Sequence, residues 1–209
     1  MDKLFVIKYS GPFGFIKPWT AVRDSETYSQ QFLTPSIITG IERKLFPELL
    51  INDDGEIKKI YGHRLSYKSI SIQQEVIQSR GFNTSSKQLD PNDSTKTKIT
   101  RRETSILNRG VMVEPILFLA FNSFKDAEKA SKQHICLCRN EDLMYPSEEI
   151  YETDLDDFVE NEESFPGFEL VFERREDSFI VGKNRYKNGD EMYGHIRIVG
   201  NPIRELGNE

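Results

Sequence analysis

A short apolar strand, a loop broken by glycine and proline, and an amphipathic helix follow one another within residues 3–46. This unit limits the folds open to the chain. Leu4, Phe5, Val6 and Ile7 are β-forming residues, and Gly11-Pro12-Phe13-Gly14 ends the run abruptly. Thr34 fits a helix N-cap and Pro35 the first helical position. Ile37, Ile38, Ile41 and Leu45 then recur at helical spacing, so one face is apolar, and Pro47 closes the unit. Between strand and helix, Phe13, Phe15, Lys17, Trp19 and Arg23 interleave aromatic and basic side chains. That combination suits stacking on bases and pairing with phosphates.

Asn52-Asp53-Asp54-Gly55 reads as a turn, and residues 56–76 as two strand pieces parted near Gly62 and His63. Residues 79–100 hold only Phe82, Leu89 and Ile99 as apolar anchors, and the pattern predicts a long loop, functional or mobile. Residues 80–109 carry seven basic and three acidic side chains, densest at Lys96, Lys98, Arg101 and Arg102. Such a cluster is suited to phosphate contact. Residues 111–121 predict one buried strand with a bulge or edge at Pro115. Ser123 is placed to cap a helix over 124–132, with Phe124, Ala127 and Ala130 inward. Ile135-Cys136-Leu137-Cys138 predicts a further strand, ended by Arg139.

The order strand, helix, strand, strand, helix, strand predicts an α+β, ferredoxin-like domain over 1–140, the topology of RNA-recognition domains. That order alone does not identify a ligand. Residues 141–163 are expected as an acidic linker or loop, and 164–209 as a small β-rich C-terminal part with a hairpin joining 168–172 to 179–181.

Net charge is −6, which by itself argues against a nucleic-acid partner. Residues 141–163, however, contain eleven acidic side chains and no Lys or Arg, and −6 less −11 leaves the remainder at +5. The acidic run reads as a solvated loop, or as a surface that meets a basic subunit or repels misplaced nucleic acid. No apolar run reaches membrane-spanning length, and the N-terminal run is too short for a signal-peptide core, so a cytoplasmic protein without membrane contact is expected. Cys136 and Cys138 lack the further ligands of a zinc site, and a bridge between them would be geometrically poor, so buried thiols are expected. His63, His134 and His195 are expected to be structural, and no cofactor or metal motif is present.

Gly11-Pro12-Phe13-Gly14-Phe15-Ile16-Lys17-Pro18, followed by Thr34-Pro35-Ser36-Ile37-Ile38-Thr39-Gly40-Ile41, resembles the Cas-five family of CRISPR-associated RAMP proteins, most of all its type I-C branch. Residues 67–76 look like that family's second strand, Thr100-Arg101-Arg102-Glu103-Thr104 like the basic entry to the next, and 137–142 like its Leu-Gly-Arg-Glu turn, with Cys138 in place of glycine. The resemblance implies a RAMP-type ferredoxin-like fold and a place in an antiviral Cascade complex. There the chain would bind the five-prime handle of crRNA, touch the large subunit and a backbone subunit, and meet target DNA indirectly. The implied RNA contacts are Lys17, Trp19, Arg23, Lys96, Lys98, Arg101, Arg102 and Arg139. The branch cuts its repeat RNA with a tyrosine, a lysine and a histidine. Here the tyrosine position is Phe46, and 79–109 contain no histidine. Tyr61, Tyr67 or His63 would have to substitute in space, so a metal-independent endoribonuclease stays an alternative with no assigned catalytic residues. A protein-interaction module without RNA affinity is the third reading.

Overall fold

The apolar run at the N-terminus is a strand buried on both faces. Phe5, Ile7 and Tyr9 pack into one core beneath two helices, while Leu4 and Val6 pack into a second with Phe118, Phe158 and Phe165. Burial on both sides explains why this run is continuous rather than alternating. The computed structural model describes residues 3–18, 26–51, 54–82, 87–90, 93–99, 102–183 and 189–207; at 78–82, 87–90, 93–99, 102–103 and 206–207 it describes backbone only.

The strands are β1 (Lys3–Ser10), β2 (Phe13–Gly14), β3 (Glu26–Tyr28), β4 (Ile60–Ser66), β5 (Ser69–Phe82), β6 (Lys87–Asp90) and β7 (Asp93–Ile99), then β8 (Arg102–Val113), β9 (Ile116–Phe121), β10 (Ile135–Cys136), β11 (Leu143–Asp154), β12 (Gly167–Val171), β13 (Phe179–Lys183) and β14 (Glu191–Val199). Helices are α1 (Pro35–Leu45), α2 (Phe124–Ala130) and α3 (Leu155–Glu160). The main sheet runs β10-β11-β1-β9-β4-β12-β14-β13 and is antiparallel throughout. Within it, β11-β1-β9-β4, with α1 after β1 and α2 after β9, places the fourth, first, third and second strands of a ferredoxin-like unit side by side.

Helix α1 buries Ile38, Ile41 and Leu45 and ends in Arg43 and Lys44, which suit its C-terminal dipole. Thr34 holds the N-cap position, but its hydroxyl meets Ser36 Oγ at 3.1 Å instead of a helix N–H. Glu42, on the same helix, is fully buried. Its Oε1 accepts the N–H groups of Lys58 (2.9 Å), Lys59 (2.5 Å) and Ile60 (3.0 Å). One carboxylate oxygen thus fixes how the chain enters β4. In α2, Ala127 and Ala130 face inward as expected, whereas Phe124 is 54% exposed and packs edge-on against Phe5.

The second sheet departs from the sequence expectations. Residues 69–82 are not the second core strand, which is β4; they form one side of a long ribbon in which β5 pairs with β8 from Ser69↔Val113 to Phe82↔Arg102. Of the expected loop over 79–100, described residues 79–82 end that ribbon, and 87–90 pair with 93–99 as β6 and β7. Residues 111–121 are two strands in different sheets, because the chain turns at Glu114 (φ 47°) ahead of Pro115. β2 and β3 pair with β8 on its other edge.

The fourth strand is not 135–138, of which only Ile135–Cys136 is extended, but β11. Residues 141–163, expected as a linker or loop, therefore supply a core strand and a helix. β11 matches β1 from Lys3↔Asp154 to Ser10↔Tyr145, and Met144, Ile150 and Tyr151 carry its packing between carboxylates that stay at the surface. In the C-terminal part, β12 and β13 do not pair with each other; each flanks β14. Among the described residues no helix is long and apolar enough to cross a membrane.

Candidate nucleic-acid interface

The glycine-aromatic loop is held against the foot of the ribbon. Phe13 pairs with Val113 and Gly14 with Met112, and a Cβ at Gly14 would lie 2.5 Å from Leu137 Cδ1. The Phe15 ring that follows lies beneath two guanidiniums: Arg139 at 5.2 Å and Arg109, from β8, at 5.6 Å. Lys17, two residues on, is exposed. The loop and the final turn are therefore brought together and joined by Arg109, a member of the basic stretch 80–109 that lies outside its densest group.

The charges at this foot are largely matched. Arg139 grips Asp142 with two nitrogens at 2.8 and 2.6 Å, and Glu141 lies 3.5 Å away. The hydrogen bond to Asp142 raises the guanidinium pKa, holding it more firmly protonated. Arg109 Nε donates to Glu75 Oε2 at 3.3 Å. Both arginines shape the foot before they offer charge to a ligand.

The remaining expected contacts lie towards the far end. Lys96 and Lys98 are alternate residues of β7, and Arg102 opens β8. Trp19, Arg23 and Arg101 lie outside the described residues. From Arg102 to Gly110, β8 spans roughly 26 Å at strand rise. One strand thus carries the entry of the basic hairpin at its start and the aromatic loop at its end.

Between them the ribbon presents an apolar face. Ile72 (49% exposed), Val76 (68%) and Ile106 (58%) lie on it, Val76 directly opposite Ile106. Tyr28 of β3 (52% exposed) lies flat across Gly110, where a Cβ would sit 2.2 Å from its Cδ1. An exposed ring over a glycine is a platform for a base. The sequence signal for it is a lone glycine inside a strand pattern, which marks close approach.

The groups relevant to RNA cleavage are dispersed in character. Phe46 is fully buried, edge-on to Phe121, with the Lys59 ammonium 4.4 Å and the Lys129 ammonium 5.2 Å from its ring centre. Tyr67 is buried and its hydroxyl donates to Gln31 Oε1 at 2.7 Å; burial raises its pKa. Tyr61 is exposed, while His63 is buried and burial pushes its pKa down to about 4. Cys136 is half-buried and Cys138 exposed, both free, so the pair is not the buried set expected.

No protein family matches the sequence, and no curated protein does. Solved structures do. A chain of a "CRISPR RNA-guided surveillance complex" superposes with a TM-score of 0.52 at 11% identity, covering 96% of this chain and 90% of that one. At that identity the likeness is one of fold, and it agrees with the mixed α+β, mainly antiparallel architecture. A chain of the Type III-B Cmr-beta complex bound to cognate target RNA and AMPPnP reaches 0.45 at 10% identity, covering 94% and 84%, and adds nothing to the fold assignment.

Proposed function

We propose that this chain is a Cas-five-like subunit of a type I surveillance complex, nearest the I-C branch, that holds the five-prime handle of crRNA. The observation that carries the reading is the ribbon. β8 joins the aromatic-basic loop at its foot to the basic hairpin at its far end, with Tyr28 exposed between them. The ordered motif resemblance and the shared fold support the same assignment.

In this reading Lys17, Trp19 and Arg23 contact the handle near the foot, and Lys96, Lys98, Arg101 and Arg102 neutralise phosphates further out. Arg139 and Arg109 position the loop, and the large and backbone subunits pack around the same ribbon, with target DNA met only through them. Handle binding needs no general base, which suits a chain whose expected tyrosine position is the buried Phe46.

The test is incubation of the protein with its own array's repeat RNA in EDTA, read on native and denaturing gels. A shifted band of intact RNA is the expected result. Discrete products would replace this reading with a metal-independent endoribonuclease. Absence of both, alone and in the assembled complex, would leave a protein-interaction module.

A further inference from the structure

The main sheet opens at one seam. β4 and β12 share a single register pair, Phe168↔Leu65, although β12 matches β14 at five consecutive positions. Where the two strands part, a cleft of about 410 Å³ forms, lined by Tyr61, His63, Asn122, Leu170 and Phe172 together with the backbone entering β4. This cleft shares no lining residue with the ribbon foot.

Its chemistry is specific. His63 is buried, and its Nε2 has no hydrogen-bond partner among the described residues. Burial foremost, with the neighbouring Arg64 charge, keeps the imidazole neutral, so the ring carries one donor and one acceptor. The Asn122 amide adds another of each. Tyr61 and Phe172, 51% and 43% exposed, bring two aromatic side chains to the lining.

The cations nearby are occupied. Lys58 pairs with Asp54 at 2.9 Å and Lys59 with Asp126 at 2.6 Å. Glu169 also lines the cleft, and its carboxylate is paired with Arg64 and Arg197. An anion would find no free counter-charge among these residues, and a purely apolar guest would leave His63 Nε2 unmet. A flat, neutral ring with its own donors and acceptors satisfies both constraints.

We propose that this cleft takes one unstacked nucleobase, seated against Tyr61 and Phe172 and hydrogen-bonded by His63 and Asn122. The inference deepens the RNA-binding reading and rests on it for the source of the base: a single-stranded segment whose bases splay outward.

The test titrates AMP, GMP, CMP and UMP in turn into the full chain and follows the His63 imidazole resonances by NMR. A saturable shift with at least one of them is expected, weakened about tenfold or more in Tyr61→Ala/Phe172→Ala, two exposed positions whose loss leaves the core intact. Asn122→Ala should change which nucleotide binds best. No shift with any of the four at millimolar concentration overturns the inference, as does an equal shift with inorganic phosphate. A parallel gel-shift with repeat RNA separates the two readings. If wild type binds RNA and the double variant binds it equally well, the cleft is not a base site and the RNA reading stands. If wild type binds no RNA but a monophosphate shifts His63, the RNA reading falls and the cleft stands as a mononucleotide site.

Discussion

The guanidinium of Arg204 donates a hydrogen bond to the carbonyl oxygen of Glu114, a non-glycine residue held at φ 47°. It reaches Ser66 Oγ at 3.3 Å with its other nitrogen. Around it, Tyr67 N–H donates to Pro202 O, Arg204 N–H to Tyr67 O, and Glu205 N–H to Lys68 O. Residues 202–205 thus clasp both places where the chain passes between the main sheet and the ribbon.

Arg204→Ala should destabilise the fold by about 1–3 kcal/mol, the loss expected for charged hydrogen bonds to the buried Ser66 hydroxyl and the exposed Glu114 carbonyl. Glu114→Gly in that background should recover roughly 1 kcal/mol by relieving the left-handed conformation. Urea midpoints of the two variants and wild type check both figures. Equal midpoints for wild type and Arg204→Ala would mean that the clasp is idle.

Arg64 is a fully buried cation stacked 4.4 Å over Phe158, donating to Phe165 O at 3.0 Å and Val159 O at 3.4 Å and facing Glu169 at 3.6 Å. Arg64→Ala should cost about 3–5 kcal/mol, because Glu169 and two carbonyls lose a partner together. Arg64→Met, which keeps the packing, should cost less. Thermal unfolding of the pair separates the packing share from the charge share.

His63 predicts an acid-side loss of stability. Its folded pKa lies near 4 against an ordinary 6.5, so the unfolded chain binds the proton more readily. Stability is retained above pH 6.5, falls as pH drops towards 4, and the penalty levels off below that at roughly 3 kcal/mol. His63→Gln should remove this part of the slope between pH 6.5 and 4 while the carboxylate contributions remain. Parallel pH-dependent unfolding curves for the two proteins would contradict a neutral buried imidazole.

For RNA, Arg101→Glu/Arg102→Glu should weaken retention of the guide and reduce the salt slope by about 0.7 for each phosphate that is no longer neutralised. Arg139→Ala should act mainly on stability, since its guanidinium is already matched by Asp142. Tyr28→Ala should cost about 1–3 kcal/mol of binding with little salt dependence, the signature of a missing stack. A salt titration of binding for the three variants distinguishes these roles.

The legible parts of the fold are those specified by neighbours in sequence. β1 and α1 carry their own signals: an apolar run and an N-cap with Pro35 at the first helical position. β11 is hidden in the sequence because its strand character comes from pairing with β1, while four of its twelve residues are carboxylates and it sits in the acidic run 141–163. Residues 79–100 read as a loop for a related reason: only Phe82, Leu89 and Ile99 among them are apolar, and ladder bonds rather than a core hold the strands there. At the candidate interface, the proximity of Phe15 to Arg139 follows from a sheet that residue spacing does not reveal, and Arg109 joins them only because β8 runs past both. Gly110 is the one local clue to Tyr28.

The position of β1 bears on how the chain is made. Lys3 finds its partner at Asp154 and Phe5 its other neighbour at Phe121. At roughly 5–20 residues per second, synthesis leaves the first strand waiting on the order of 10–30 s for its last neighbour. For most of that interval the apolar run Leu4-Phe5-Val6-Ile7 lacks both partners, and after residue 121 it still lacks β11. Of these three strands β1 is translated before its neighbours, so its apolar edge is covered only once residues 116–121 and 143–154 have followed.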